Sequence, residues 1–307
     1  MQKTQINNID HDDQIILFFN ALFGENTLDA ILNICLKTKD KGLITSSFES
    51  SDHDVITKTI TQLREKGDVY FEVCLQNNFP EQGKRGKALD KKIMLGLWFD
   101  VDVAGKNHAA SHYPKTKEEA LSFVKDFNPS LVIDTGGGYH FYKLFKEPWI
   151  LKSEADREKA SFLIEKFQRH IISEGKKNGW HLDFTGDMAR LMRIPGTFNY
   201  KRDKSTPVQI IHYDSDCRYS PDDFDFLFAQ PEENIDVICA HQDGVLQNYP
   251  LAKICDIEKS CAWVEHCRVD AHMLKEPLWF AMLSIIGRCE NATIIAHEWS
   301  SPYPEYS

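Results

Sequence analysis

Apolar residues recur with two different spacings along the first 230 residues, which predicts a mixture of helices and strands. Helical spacing predicts a helix through Ile15 and Phe18 that ends at Gly24, and further helices over residues 55–66, 116–127 and 153–175. Runs rich in β-branched and aromatic residues predict strands over residues 68–75, 93–103, 131–134, 139–145, 180–184 and 208–213. These elements indicate a mixed α+β domain.

The composition changes after about residue 229. Residues 230–234, with the sequence QPEEN, are typical of a linker, and the residues beyond them are cysteine-rich and predicted to be helical. We therefore predict a catalytic domain over residues 1–230, including the N-terminal helical segment, and a small helical accessory domain over residues 231–307. The chain stops soon after Trp299 without an obvious domain end, which favours a longer natural protein.

Composition excludes several classes of protein. With 42% hydrophobic residues among 307, the chain can bury a core and is not intrinsically disordered. No apolar run is long enough to span a membrane and no secretory signal opens the chain, so we expect a cytoplasmic protein with reduced cysteines. The formal net charge of −10 argues against a protein that coats DNA through a basic surface, but not against local binding of nucleic acid.

Two aspartates follow the apolar part of the predicted strand 93–103. Asp100 and Asp102 are two residues apart, so their side chains project from the same face of a strand. Neighbouring carboxylates repel each other unless a cation lies between them. Hard oxygen ligands at this spacing suit Mg²⁺ or Mn²⁺ held together with substrate phosphates, although acidic strand ends in solvent are also common.

A glycine-rich turn and a basic run complete the candidate chemistry. Gly136-Gly137-Gly138 precedes His140, a pattern that on its own favours a hairpin with a packed histidine over a phosphate-binding turn. Further along, the predicted strand 180–184 carries Asp183 as a third carboxylate. Behind it, Arg190, Arg193 and Lys201 are cations suited to phosphate oxygens.

In this order the motifs resemble those of the archaeo-eukaryotic primase superfamily, and within it the primase-polymerases of phages, plasmids and mobile elements. The acid-x-acid motif is Asp100-Val101-Asp102, and the small-x-His motif is Gly138-Tyr139-His140, with glycine where serine is common. The hydrophobic-Asp motif is Leu182-Asp183, and the run RLMRIPGTFNYK at residues 190–201 is similar to the family's RLPGT-N-K run. The resemblance covers roughly residues 65 to 215.

The resemblance implies a DNA primase-polymerase, a nucleotidyltransferase that acts in DNA replication, with an RRM-like antiparallel sheet flanked by helices. Two Mg²⁺ or Mn²⁺ ions would be held by Asp100, Asp102 and Asp183. His140, Arg190, Arg193, Lys201 and the Gly138 backbone would bind the (deoxy)ribonucleoside triphosphate. A single-stranded DNA template and primer would be the other substrates, running near Lys84–Lys92 and Arg190–Lys204, and a helicase is an implied partner.

Three alternatives stay open from the sequence. Asp187 competes with Asp183 as the third metal ligand, and Asp183 is preferred because it lies on a predicted strand. Cys255, Cys261, His266 and Cys267, with Cys239 and His241, favour a helical core over a zinc site because their spacings match no zinc motif. In place of a primase, the chain would be a replication-initiator nuclease, which normally needs a His-x-His motif that is absent here, or a non-catalytic single-stranded DNA-binding module.

Overall fold

The computed structural model describes residues 9–24, 28–38, 42–81, 83–105, 112–201, 205–228, 251–274 and 276–303. The chain divides into two compact units, Met1–Asp236 and Val237–Ser307. The linker predicted at residues 230–234 and the domain boundary predicted at residue 230 lie outside the described residues.

The larger unit alternates helices and strands along the chain. Its elements, within the described residues, are α1 His11–Phe23, β1 Ile31–Thr38, β2 Gly42–Glu49, α2 His53–Leu63, β3 Asp68–Glu72, β4 Cys74–Gln76, β5 Lys91–Asp102, α3 Lys117–Asp126, β6 Leu131–Asp134, β7 Gly138–Ile150, α4 Glu154–Lys177, β8 Leu191–Arg193, β9 Phe198–Asn199, β10 Thr206–Pro207 and β11 Gln209–Tyr213.

Nine of these strands form one sheet. Its order is β11-β6-β7-β5-β4-β1-β3-β8, with β2 paired to β1, while β9 and β10 form a separate two-stranded sheet. The pairs between these described strands are antiparallel. The predicted α+β class, an antiparallel sheet flanked by helices, is confirmed.

Helices cover both faces of the sheet. The ring of Phe18 in α1 lies 5.0 Å from that of Phe71 and 6.2 Å from that of Tyr142, whereas Phe167 in α4 lies 6.2 Å from Phe141. Phe141 and Tyr142 are consecutive in β7 and therefore point to opposite faces. The α1 side and the α4 side are thus the two faces of the same sheet.

The predicted helix starts are confirmed by their caps. The Thr116 side chain accepts a hydrogen bond from the Glu119 amide at 3.2 Å, and Ser153 Oγ accepts one from the Asp156 amide at 3.2 Å. Both hydroxyls satisfy backbone donors that a helix leaves without a partner in its first turn. The chain therefore enters α3 and α4 where the sequence predicts.

The strand predicted over residues 180–184 is wrong, since residues 180–187 are irregular. The His181 amide donates to the carbonyl of His112 at 2.7 Å, and the Thr185 amide donates to Gln168 Oε1 in α4 at 3.0 Å. Backbone groups that would enter a strand ladder are bonded to a loop and to a helix side chain, so tertiary contacts override the local β-propensity.

The smaller unit is helical in its described residues, as predicted. Its helices are α5 Ile254–Ser260, α6 Ala262–Val269, α7 Glu276–Ile286 and α8 Ala292–Ser300. Val264, Cys267, Met282, Ile286 and Trp299 form its buried core. Among the described helices of the whole chain, none combines the length and apolar character needed to cross a membrane.

A buried ion pair lies where β3, β4 and β5 meet. Lys91 Nζ lies 2.6 Å from Glu72 Oε2, and the two side chains are 0% and 1% exposed. Asn33 Nδ2 donates to the same Glu72 oxygen at 2.6 Å, and Lys91 also donates to Gln76 at 3.3 Å. Burial raises the pKa of Glu72 although the Lys91 charge opposes that rise. Each charge therefore depends on the other for its place in the sheet.

Replacing Lys91 with methionine removes the nearest counter-charge of the buried Glu72 carboxylate and leaves only Arg85, whose Nη1 lies 4.0 Å from Glu72 Oε1. We expect Lys91→Met to lower the free energy of unfolding by about 3–5 kcal/mol, measured by equilibrium urea denaturation. Lys92→Met is the matched control, because Lys92 pairs with the exposed Asp29 and such surface pairs contribute about 1 kcal/mol or less. Equal losses in the two variants would contradict the dependence of Glu72 on Lys91.

Candidate active site

The ladder between β5 and β7 brings two of the sequence motifs together. Asp100 in β5 lies directly opposite His140 in β7, and Asp102 lies opposite Gly138. Side chains of opposed residues share a face, and Asp100 Oδ1 is 3.7 Å from His140 Nε2. Because His140 and Tyr142 are two residues apart on β7, this is the face that α1 covers.

Position 138 requires glycine because β5 and β7 approach each other closely there. A Cβ atom at this position would lie 2.1 Å from the Val101 carbonyl oxygen and 2.8 Å from Asp102 Cα. Real Cβ atoms do not make contacts this short, so no side chain fits without separating β5 from β7. Packing beside the aspartate pair therefore requires the glycine at position 138.

Asp100 lies in a strongly charged environment. Burial raises the pKa of Asp100 to about 6, assisted by the negative charge of Asp183 and opposed by the positive charges of Arg190, Lys201 and Arg193. The structure thus brings the predicted acid, the third carboxylate and the three predicted cations into one electrostatic neighbourhood. A carboxylate that is this reluctant to ionise is stabilised by any added cation.

His140 is neutral in this setting. Its side chain is buried, and burial holds the pKa of His140 well below its usual value, with the charges of Arg193, Arg190 and Lys201 acting in the same direction. Its Nδ1 atom is buried without a hydrogen-bond partner. A neutral imidazole has one donor and one acceptor nitrogen, so His140 can form a further polar contact with a ligand.

Asp183 reaches the aspartate pair although no strand carries it. Its Oδ2 atom lies 3.4 Å from the hydroxyl of Tyr113. Burial and the negative charges of Asp183, Asp102 and Asp100 together raise the pKa of Tyr113 to about 12. Tyr113 is therefore close to the three predicted carboxylates, and no local sequence pattern indicates it because it lies in a loop before α3.

Asp187 has a different environment. Its Oδ1 atom accepts a hydrogen bond from the Ala189 amide at 2.9 Å, and its carbonyl accepts one from the Arg190 amide at 2.8 Å. Its charge acts on the buried thiol of Cys74, where burial is the largest cause of a pKa raised to about 12. Asp187 shapes the turn that precedes Arg190, which favours Asp183 as the third carboxylate.

The three predicted cations differ in whether they form ion pairs with other described residues. Arg193 is buried, and its Nη1 donates to Asp68 Oδ1 at 2.6 Å while its guanidinium lies 4.9 Å from the Tyr70 ring centroid. Arg190 and Lys201 form no ion pair with another described residue, and Arg190 Nε is buried without a partner. Arg190 and Lys201 are therefore the cations available for a ligand, and Arg193 chiefly anchors the basic run.

The run 194–201 is folded against the glycine-rich turn and α1. Gly196 has φ +82°, and a Cβ there would lie 2.1 Å from the His11 carbonyl, so the turn requires glycine. Asn199 Nδ2 donates to the carbonyl of Thr135 at 2.7 Å. Tyr200 donates its hydroxyl to the Arg64 carbonyl at 2.9 Å and its amide to Asp68 at 2.8 Å. The basic run is thus tied to the Gly136–Gly138 turn.

The donor set fits a hard divalent cation that shares its ligands with a substrate. No group of three or more His, Cys, Asp or Glu side chains in the described residues is arranged to hold a metal ion. Mg²⁺ is commonly held by one or two carboxylates, with waters and substrate phosphates completing its shell. The adjacent Asp100 and Asp102, with Asp183 nearby, meet that requirement, and the raised pKa of Asp100 marks where positive charge is needed.

The cysteines of the smaller unit do not form a comparable group. Cys255, Cys261, His266 and Cys267 are all described, and no cluster of three metal-ligating side chains occurs among them. His266 Nδ1 lies 2.7 Å from Asp270, and Cys267 belongs to the buried core. Cys239 and His241, the other residues of the zinc alternative, lie outside the described residues.

Comparisons with known proteins found similarity to two solved structures. A crystal structure of the catalytic domain of primase RepB′ in complex with initiator DNA covers 72% of this chain and 95% of its own, at 15% identity and a TM-score of 0.46. A crystal structure of primase RepB′ covers 95% of this chain and 93% of its own, at 12% identity and a TM-score of 0.44. No family model matches the chain, and no curated protein matches it.

A serine at position 138 tests the packing role of its glycine. We expect Gly138→Ser to lower the free energy of unfolding by about 1–3 kcal/mol, because its Cβ forces β5 and β7 apart. Gly105→Ser is the control, since the nearest atom to a Cβ there is 3.9 Å away. Urea denaturation measures both, and a tolerated serine at 138 would show that the strands separate without cost.

The raised pKa of Asp100 predicts a pH-dependent stability in the absence of divalent cations. The folded protein keeps the Asp100 proton up to about pH 6, whereas the unfolded chain loses it near its ordinary value of 3.8, so ionisation lowers stability as pH rises through this window. We expect Asp100→Asn to be more stable than wild type by about 3 kcal/mol at about pH 7.5 and by much less at about pH 4. Thermal denaturation in a chelator measures the gap, and Asp126→Asn, an exposed control, should show no such widening.

Proposed function

We propose that the larger unit catalyses template-directed nucleotidyl transfer, as a DNA primase-polymerase. The observation that carries the proposal is the convergence of Asp100, Asp102 and Asp183 beside Arg190 and Lys201. Phosphoryl transfer uses acidic side chains that hold a cation and basic side chains that hold phosphates. This is because such catalysis consists largely of positioning and charge stabilisation.

In this proposal, basic side chains bind the phosphates of the substrate and carboxylates hold the divalent cations. The side chains of Arg190 and Lys201, which form no ion pair with another described residue, would bind the oxygens of the incoming triphosphate. Arginine can do so through two parallel hydrogen bonds. His140, neutral and with a buried Nδ1 that lacks a partner, would supply one more polar contact.

The carboxylates would hold the divalent cations. Asp100 and Asp102 are placed together by β5, and Asp183 is oriented by the Tyr113 hydroxyl. When bound, Mg²⁺ or Mn²⁺ supplies the chemistry that lowers the pKa of the attacking 3′-hydroxyl and offsets charge on the departing pyrophosphate. The buried setting of Asp100 strengthens each of these charge interactions, because a low dielectric screens them weakly.

The experiment is incorporation of labelled nucleotides on a single-stranded DNA template with Mg²⁺ or Mn²⁺, with and without a primer. We expect Asp100→Asn/Asp102→Asn to reduce incorporation by about 100-fold or more, because the variant removes two of the carboxylates that would hold the divalent cations. Asp183→Asn should give a similar loss.

Asp187→Asn is the matched control, because asparagine keeps the oxygen that accepts from the Ala189 amide. Its rate should stay close to that of the wild type. A large loss in Asp187→Asn with normal Asp183→Asn would exchange the two assignments. Shortened template in place of extended primer would favour a nuclease, and incorporation that persists in the double variant would rule the proposal out.

A further inference from the structure

A cleft of about 1240 Å³ lies beside the β4–β5 loop, separate from the carboxylate cluster. Its described walls come from the start of β2, the β4–β5 loop, the end of β7 and the start of α4. The residues that matter for a ligand are Phe79, Lys84, Lys87, Leu89, Lys152 and Arg157.

The cleft is basic in a chain that is acidic. Its lining contains seven Lys or Arg residues and two Asp or Glu residues, whereas the whole chain carries a formal charge of −10. Some of these cations have partners: Lys84 pairs with Glu81 at 2.5 Å, Lys92 pairs with Asp29 at 3.0 Å, and the buried Lys91 pairs with Glu72 at 2.6 Å. The cleft therefore concentrates positive charge on one surface.

Three of the lining cations are available to a ligand. Lys87 and Lys152 are exposed, and neither they nor Arg157 form an ion pair with another described residue. Arg157 Nε is also buried without a hydrogen-bond partner. An unpartnered buried donor beside two free ammonium groups is suited to an anion with several oxygens, such as a phosphodiester.

The same cleft presents large apolar side chains to solvent. Phe79 is 57% exposed and Leu89 is 65% exposed. Aromatic rings interleaved with cations are the features with which proteins bind single-stranded nucleic acid, because each base offers a flat face for stacking. In contrast, the Tyr200 hydroxyl in the basic run is bonded to the Arg64 carbonyl, which makes Phe79 the better placed ring.

One contact joins the wall of the cleft to the carboxylate site. Arg85 Nη1 donates to the carbonyl of Ala189 at 3.0 Å. Ala189 immediately precedes Arg190, whose charge acts on Asp100. The wall of the cleft is therefore in direct contact with the turn that precedes Arg190.

We propose that this cleft binds single-stranded nucleic acid, with phosphates on Lys87, Lys152 and Arg157 and a base stacked on Phe79. That the bound strand serves as the template rests on the proposed function. The binding itself does not, because it depends on the cleft alone.

Binding of a labelled oligothymidylate to the full chain, followed by fluorescence anisotropy across a salt series, tests the site. Each lost phosphate contact lowers the steepness of the salt dependence by about 0.7, so Lys87→Gln/Lys152→Gln should weaken binding about 25-fold at about 0.1 M salt. The control Lys58→Gln/Lys125→Gln removes the same charge from exposed positions on α2 and α3, and should change the affinity little. Equal effects of the two double variants would overturn the proposal.

The stacking contact is tested separately. Phe79→Ala should weaken oligothymidylate binding about fivefold or more, because base stacking on an aromatic ring contributes at least that much. Phe226→Ala, which removes a ring 52% exposed elsewhere in the larger unit, is the control. An unchanged affinity in Phe79→Ala would remove the base contact from the proposal.

The two proposals fail in different ways. Asp100→Asn/Asp102→Asn should keep at least the wild-type affinity for oligothymidylate, whatever its effect on nucleotide incorporation. Binding that depends on Lys87 and Lys152 in a protein that incorporates no nucleotide would support the cleft and defeat the proposed function. Incorporation by a protein whose oligothymidylate binding does not depend on Lys87 and Lys152 would support the proposed function and defeat the cleft proposal.

Discussion

The antiparallel ladder between β5 and β7 is the constraint from which the site follows. Its register sets Asp100 opposite His140 and Asp102 opposite Gly138. The ladder is tight enough at its end that only glycine fits at position 138. A shift of one residue would send both aspartates to the opposite face of the sheet, which α4 covers. The positions of Asp100 and Asp102 on the sheet are therefore set by backbone pairing.

Long-range polar contacts then place the rest of the site around that ladder. Asp68 at the start of β3 accepts from the Arg193 guanidinium and from the Tyr200 amide, so one carboxylate holds both ends of the basic run. Asn199 ties the same run to the glycine-rich turn through the Thr135 carbonyl. Arg193 is thus paired within the protein, whereas Arg190 and Lys201 form no ion pair with another described residue and are available to a ligand. A buried pair that looks like a stabilising element thus acts by orienting its neighbours.

Local patterns in the sequence predicted much of this fold. The helices with clear caps at Thr116 and Ser153, and the strands that carry Asp100 and His140, lie where apolar spacing and capping residues place them. The segment that carries Asp183 does not, because its backbone bonds to α4 and to residue 112 in place of a strand. The partners Tyr113 and Asp68 were missed, since contacts separated by 70 and 125 residues leave no local pattern. The sequence could indicate which residues carry the chemistry, but not which of them, such as Arg193, already form an ion pair within the fold.

The charge distribution is compatible with the proposed binding of a polyanion by an acidic chain. Charges in solvent are screened over about 8 Å at physiological ionic strength, so acids elsewhere on the surface have little effect within the cleft. Inside the carboxylate site the opposite holds, since burial leaves Asp100 sensitive to each nearby charge. Under the two proposals, the molecule therefore binds phosphates at the exposed Lys87 and Lys152 and a cation at Asp100, whose side chain is 21% exposed. In the proposed function, a bound strand would have its phosphates on the basic cleft and its reacting end beside the carboxylates, the arrangement that nucleotidyl transfer requires.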